Sequence, residues 1–100
     1  MSNLPITIDR ERIAEVCRRH KVQRLCLFGS VLRSTFNASS DVDILVEFLP
    51  GARISFLDLA SLEADLAAVI GRTVDLRTTR ELSKYFRDQV VAEALEQYAA

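Results

Sequence analysis

Apolar and polar residues recur along this chain with two periods, and each change of period marks a new element. After Asp9, a residue suited to cap a helix, Ile13, Val16, Cys17 and His20 follow at helical spacing, so residues 9–20 read as an amphipathic helix. Residues 24–28 (Arg-Leu-Cys-Leu-Phe) form a short apolar run stopped by Gly29-Ser30, the pattern of a buried strand. Residues 31–35 read as a short helix, and residues 36–40, which include Asn37, Ser39 and Ser40, as a loop. Residues 41–48 then alternate strictly. Val42, Ile44, Val46 and Phe48 fall on one face of a strand, and Asp41, Asp43, Leu45 and Glu47 on the other.

Pro50-Gly51 ends that strand. Ser55 with Asp58 three residues later has the form of a capping box, opening a helix whose core side is Leu59, Leu62, Leu66, Val69 and Ile70. Gly71 is placed to close it in a left-handed conformation. Residues 73–77 read as a third strand, with Val74 and Leu76 on one face and Asp75 on the other. Phe86, Val90, Ala94 and Tyr98 recur at helical spacing, so residues 86–98 are expected to form a last helix. The order predicts an α+β domain: a mixed sheet of three or four strands, covered by helices on one face and partly open on the other. The aspartates are expected on the open face.

Composition narrows the class. One hundred residues suit a single domain over residues 1–100, and 49% apolar with 27% charged residues is ordinary for a globular protein. A net charge of −1 supplies no field for steering onto nucleic acid, so direct nucleic-acid binding is not expected. No apolar run approaches the roughly 20 residues of a membrane span, and the first residues lack a secretory pattern. Cys17 on a helix face and Cys26 within an apolar strand read as buried, reduced thiols, which makes the expected location cytoplasmic.

The chemistry lies in the spacing of a few residues. Asp41 and Asp43 leave one strand face roughly 7 Å apart, close enough to share hard cations such as magnesium, which takes oxygen ligands at about 2.0–2.1 Å. By themselves the two are equally compatible with a solvated strand edge. Gly29 at a strand end lets backbone approach a phosphate closely, and the Ser30 hydroxyl adds a donor. The telling feature is the combination: an apolar strand, Gly29-Ser30, ten residues, then Asp41-Val42-Asp43 opening the next strand.

Leu27-Phe28-Gly29-Ser30 and Ser40-Asp41-Val42-Asp43-Ile44-Leu45-Val46 resemble the signature of the polymerase-beta-like nucleotidyltransferase superfamily. More narrowly they resemble the minimal nucleotidyltransferases, small prokaryotic proteins paired with HEPN-domain partners in toxin–antitoxin systems. Gly71-Arg72-Thr73-Val74-Asp75-Leu76 is similar to the segment bearing the family's third carboxylate, and Tyr85-Phe86-Arg87 and Ala92-Glu93-Ala94 are similar as well. Many members carry Gly-Ser-Arg-x-Arg-Gly. This chain has Val31 and Ser34 at the first Arg and last Gly, and retains Arg33.

The resemblance implies that Gly29 and Ser30, with Arg33 and Ser40, bind the nucleotide. It implies that Asp41, Asp43 and Asp75 hold two magnesium ions, with Asp75 as ligand or base. The implied activity is transfer of AMP from ATP to a hydroxyl, a tyrosine, of a HEPN-type toxin, so that this protein is an antitoxin. Two other functions compete: a non-catalytic antitoxin acting by contact, and the catalytic subunit of a small-molecule transferase such as one modifying an aminoglycoside. A homo-oligomer is compatible with all three. His20, with Arg18, Arg19, Lys21 and Arg24, reads as a solvated basic helix end or a surface for an acidic partner. Arg77 and Arg80 read as surface residues within reach of a nucleotide, and Tyr85, Phe86 and Tyr98 as packing.

Overall fold

In the computed structural model, residues 6, 8–29, 40–78 and 93–100 are described. Their elements are α1 (Arg10–Arg19), β1 (Val22–Phe28), β2 (Val42–Phe48), α2 (Phe56–Ile70), β3 (Val74–Thr78) and β4 (Leu95–Ala99). The side chain of Asp9 caps α1 by accepting from the Arg12 N–H at 3.2 Å. Ile13, Val16 and Cys17 are the buried positions of that helix. Burial pushes the Cys17 thiol up to about 12, with the nearby Arg18 charge opposing the shift.

α2 opens on the expected capping box. The Asp58 N–H donates to Ser55 Oγ at 3.1 Å, and the Ser55 N–H donates to Asp58 Oδ2 at 2.9 Å. The carboxyl of Asp58 is held below its ordinary range first by the Ser55 backbone donor and then by the Ser55 side chain. At the other end Gly71 adopts φ 76° and donates its N–H to the Ala67 carbonyl at 2.7 Å. Leu62 and Leu66 are fully buried, and Val69 and Ile70 pack on the core partly buried.

The strands lie in the order β3-β2-β1-β4. β1 runs antiparallel to both β2 and β4, while β3 runs parallel to β2. The β2–α2–β3 segment is thus a crossover unit, the only way two neighbouring parallel strands can be joined by a helix. Leu25, Leu27, Val42, Ile44, Val46 and Val74 point from the sheet onto Ile13, Val16, Cys17, Leu62 and Leu66, so the main core lies between the helices and one sheet face. The expected layering and strand alternation are therefore present.

The expected last helix is not present over residues 95–98. Leu95–Ala99 is a strand, with Tyr98 opposite Leu25 and Glu96 opposite Cys26. Of Phe86, Val90, Ala94 and Tyr98, which carried the helical spacing, only Tyr98 falls in this segment, and five residues are decided by what they can pair with. β1 offers an edge of unpaired amides, and Arg24 Nε reaches Glu96 Oε1 at 3.0 Å across the pair. Residues 86–92 of the expected helix lie outside the described residues, as does the expected short helix at 31–35.

Candidate active site

The sheet face opposite the helices carries Phe28, Asp43, Leu45 and Cys26, as the alternation requires. In the β1–β2 register Phe28 lies opposite Asp43, and Cys26 opposite Leu45. Cys26 and Leu45 are 2% and 3% exposed, so the middle of this face is dry, whereas Asp43 and Asp75 are half-buried and Asp41 is exposed. Burial also raises the Cys26 thiol above its ordinary value, with the Arg24 charge pulling the other way. Further along β3 Arg77 is exposed, and the accessible aspartates lie at the end where β2 and β3 begin.

At that end the parallel register sets Asp43 directly beside Asp75. Neighbouring strands are about 4.8 Å apart, so the two carboxylates, separated by 32 positions in sequence, share one small volume. Two contacts fix this arrangement. The Val42 N–H donates to the Thr73 carbonyl at 2.9 Å, and Arg72 Nη2 donates to the Ser40 carbonyl at 2.8 Å. They tie the chain entering β2 to the α2–β3 connection. Arg72 was not marked by any spacing in the sequence, because its partner is 32 residues away.

Gly29 closes the site from the end of β1. It adopts φ 72°, and a Cβ placed there would overlap Asp43 Oδ2 and lie 3.1 Å from Asp43 Cγ. Both the backbone angle and the space exclude a side chain. The glycine therefore brings main chain against a carboxylate at the point where β1 ends. Ser30 and Arg33 lie outside the described residues, and Ser40 sits at the β2 entrance with its carbonyl taken by Arg72.

Arg77 completes the picture. Its Nε lies 3.2 Å from Asp75 Oδ1 and its Nη2 donates to Asp75 Oδ2 at 3.4 Å. Asp75 thus accepts a cation on both oxygens. Among the described residues, the candidate ligands Asp41, Asp43 and Asp75 offer oxygen, which suits a hard divalent ion such as magnesium. Asp43 and Asp75 stand in register, and Asp41 is two residues before Asp43, just outside β2. Among the described residues no three Asp, Glu, His or Cys side chains converge as a finished metal cluster.

A family model described as the nucleotidyltransferase domain matches residues 10–97, which include Gly29, Asp41, Asp43 and Asp75. The chain belongs to the nucleotidyltransferase family. It is an enzyme of that family, and its relatives narrow the type. This nucleotidyltransferase is 36% identical over 87 residues to a Methanocaldococcus jannaschii protein that carries a provisional name as a protein adenylyltransferase, covering 87% of this chain and 91% of the relative. It is 35% identical over 83 residues to the protein adenylyltransferase MntA of Thermococcus cleftensis, covering 81% and 80% of the two.

Solved structures agree. A provisionally named minimal nucleotidyltransferase superposes with a TM-score of 0.72 at 38% identity, covering 86% of each chain. A chain of a toxin–antitoxin crystal structure with AMP-PNP gives a TM-score of 0.72 at 26% identity, over 93% of this chain and 75% of that one. A chain from the complex of tri-AMPylated Shewanella oneidensis HEPN toxin with MNT antitoxin gives 0.64 at 26% identity, over 91% and 70%.

The structure also pairs residues that the sequence left unassigned. His20, read as part of a solvated helix end, has its Nε2 2.7 Å from Asp65 Oδ2, linking the end of α1 to α2. No helix among the described residues is long and apolar enough to cross a membrane.

Proposed function

We propose that this nucleotidyltransferase transfers AMP from ATP to a tyrosine hydroxyl of a HEPN-type toxin and so acts as its antitoxin. The observation that carries the reading is the in-register pair Asp43 and Asp75, with Gly29 set against Asp43. The AMP-PNP complex and the AMPylated HEPN complex among the structural relatives support the nucleotide and the partner. The adenylyltransferase names of the sequence relatives support the reaction. On this reading residues 1–100 act as one catalytic domain and borrow the acceptor from the partner.

The chain's own groups divide the work. Gly29 would let backbone at the end of β1 meet the terminal phosphates, and on this reading Ser30, Arg33 and Ser40 join it in binding the nucleotide. Asp41, Asp43 and Asp75 would hold magnesium, which when bound neutralises phosphate charge and stabilises the attacking and leaving oxygens of an in-line displacement. The acceptor oxygen bonds to the α-phosphorus as the bond to the β-phosphate oxygen breaks and pyrophosphate leaves. Asp75 would receive the phenolic proton or serve as a ligand. The attached AMP adds charge and bulk at the toxin's active centre, which would block RNA entry.

The test is the intact mass of a HEPN partner after incubation with this protein, magnesium and ATP. The wild type is expected to leave the partner heavier by one or more AMP units and inactive after separation. Asp41→Asn combined with Asp43→Asn is expected to leave it unmodified and active once released. Lasting neutralisation by that double variant would overturn the enzymatic reading in favour of an antitoxin that acts by contact.

A further inference from the structure

The ion pair between Arg77 and Asp75 has no part in the transfer chemistry, yet it sits on the carboxylate that chemistry needs. Both residues are on β3, two positions apart, so their side chains leave the same face. The guanidinium engages both oxygens in fork fashion, at 3.2 Å and 3.4 Å. Asp75 in turn stands beside Asp43, and two carboxylates so placed repel unless a cation lies near.

We infer that Arg77 is a positioning residue that competes with the divalent cation for Asp75, holding the carboxylate until an ion arrives already bound to a triphosphate. The inference rests on the metal-site reading above. A cation coordinated directly by Asp75 shares an oxygen that Arg77 now engages, and two positive charges on one carboxylate repel, so the two cations compete for it. The exchange is feasible because the pair is accessible: the side chains are 49% and 40% exposed, and ion pairs in such settings contribute little. A bare ion offers the displaced guanidinium nothing. An ion carried on a triphosphate brings phosphate oxygens, which accept the planar guanidinium donors at least as well as a carboxylate does. Arg77 therefore biases Asp75 against free metal and towards the metal–nucleotide complex.

The experiment is titration of the full-length protein with Mn2+, followed by calorimetry or electron paramagnetic resonance, with and without a non-hydrolysable ATP analogue. Arg77→Gln is expected to tighten binding of bare Mn2+ about threefold or more, with the gain shrinking at high salt. With the analogue present, the gain is expected to vanish or reverse. Arg53→Gln, which removes an exposed cation at the far end of β2, is expected to change neither titration. In an Asp75→Asn background, Arg77→Gln is expected to have no further effect, since the pair is already broken. Thermal melts of each variant show that it is folded. Unchanged Mn2+ affinity in Arg77→Gln, while the wild type still binds Mn2+ with the analogue, would overturn this inference and leave the metal-site reading intact. No Mn2+ binding by the wild type, even with the analogue, would overturn both.

Discussion

Gly29 and Gly71 have nearly the same backbone angle, φ 72° and 76°, but different surroundings. A Cβ on Gly71 meets nothing within 4 Å, whereas one on Gly29 runs into the Asp43 carboxylate. The comparison separates the cost of the angle from the cost of the contact. Gly71→Ala is expected to lose about 1–2 kcal/mol, the left-handed penalty of an L-residue. Gly29→Ala is expected to lose more, and also to displace Asp43, so that Mn2+-ATP binding falls with stability. Denaturant unfolding and a Mn2+ titration of the two variants check this. Equal losses of stability, with metal binding intact in both, would show that Gly29 serves only the turn.

The helices hold their ends by local devices, and the strands hold theirs by distant ones. In α2 the reciprocal Ser55 and Asp58 bonds satisfy two amides that the first turn leaves without helical partners. Ser55→Ala is expected to cost about 1 kcal/mol of global stability, measured by urea unfolding. Asp58→Asn should flatten the loss of stability below pH 4, because the Ser55 N–H that chiefly lowers the Asp58 pKa survives in Ser55→Ala. Asp58 has a folded pKa depressed below its ordinary value of 3.8, so its contribution is present above that value and fades as pH falls through the folded one. Wild-type behaviour of the Asn variant at low pH would mean that another carboxylate governs the acid limb. The first turn of α2 also leaves Phe56 82% and Leu57 77% exposed, because the capping box, rather than burial, fixes where the helix begins.

At the scale of the molecule, the helix-covered face carries the stability and the other face carries the site. Cys17 belongs to the first, fully buried between α1 and the sheet. Its thiol titrates at 9.0 when unperturbed and at about 12 in the fold, so folding favours the protonated form. The sign follows directly: this contribution is complete below pH 9 and is lost as pH rises towards 12. Stability of the wild type is expected to fall through that window more steeply than that of Cys17→Ala, which will be less stable at neutral pH because of the cavity it leaves. Melting temperatures of both from pH 7 to pH 11 test it. Parallel curves would mean that the thiol is not what alkali attacks.

The sequence by itself determined what depends on neighbours within a few residues. The caps at Asp9, Ser55 and Gly71, the faces of β2 and the order of α1 to β3 are all set by side chains at spacings of two to four. The signature Gly29-Ser30 with Asp41 and Asp43 was legible for the same reason: chemistry at adjacent strand ends requires residues at fixed short intervals. Only the tertiary structure decided what depends on which strand lies beside which. Residues 95–99 became β4 because β1 had an edge to offer, against a helical spacing that nothing else supported. The register that sets Asp43 beside Asp75 and the Arg72 bond that braces the β2 entrance follow from the parallel β2–β3 ladder. Such a ladder is fixed by the packing of α2 across it, and local sequence carries no record of its partner's register.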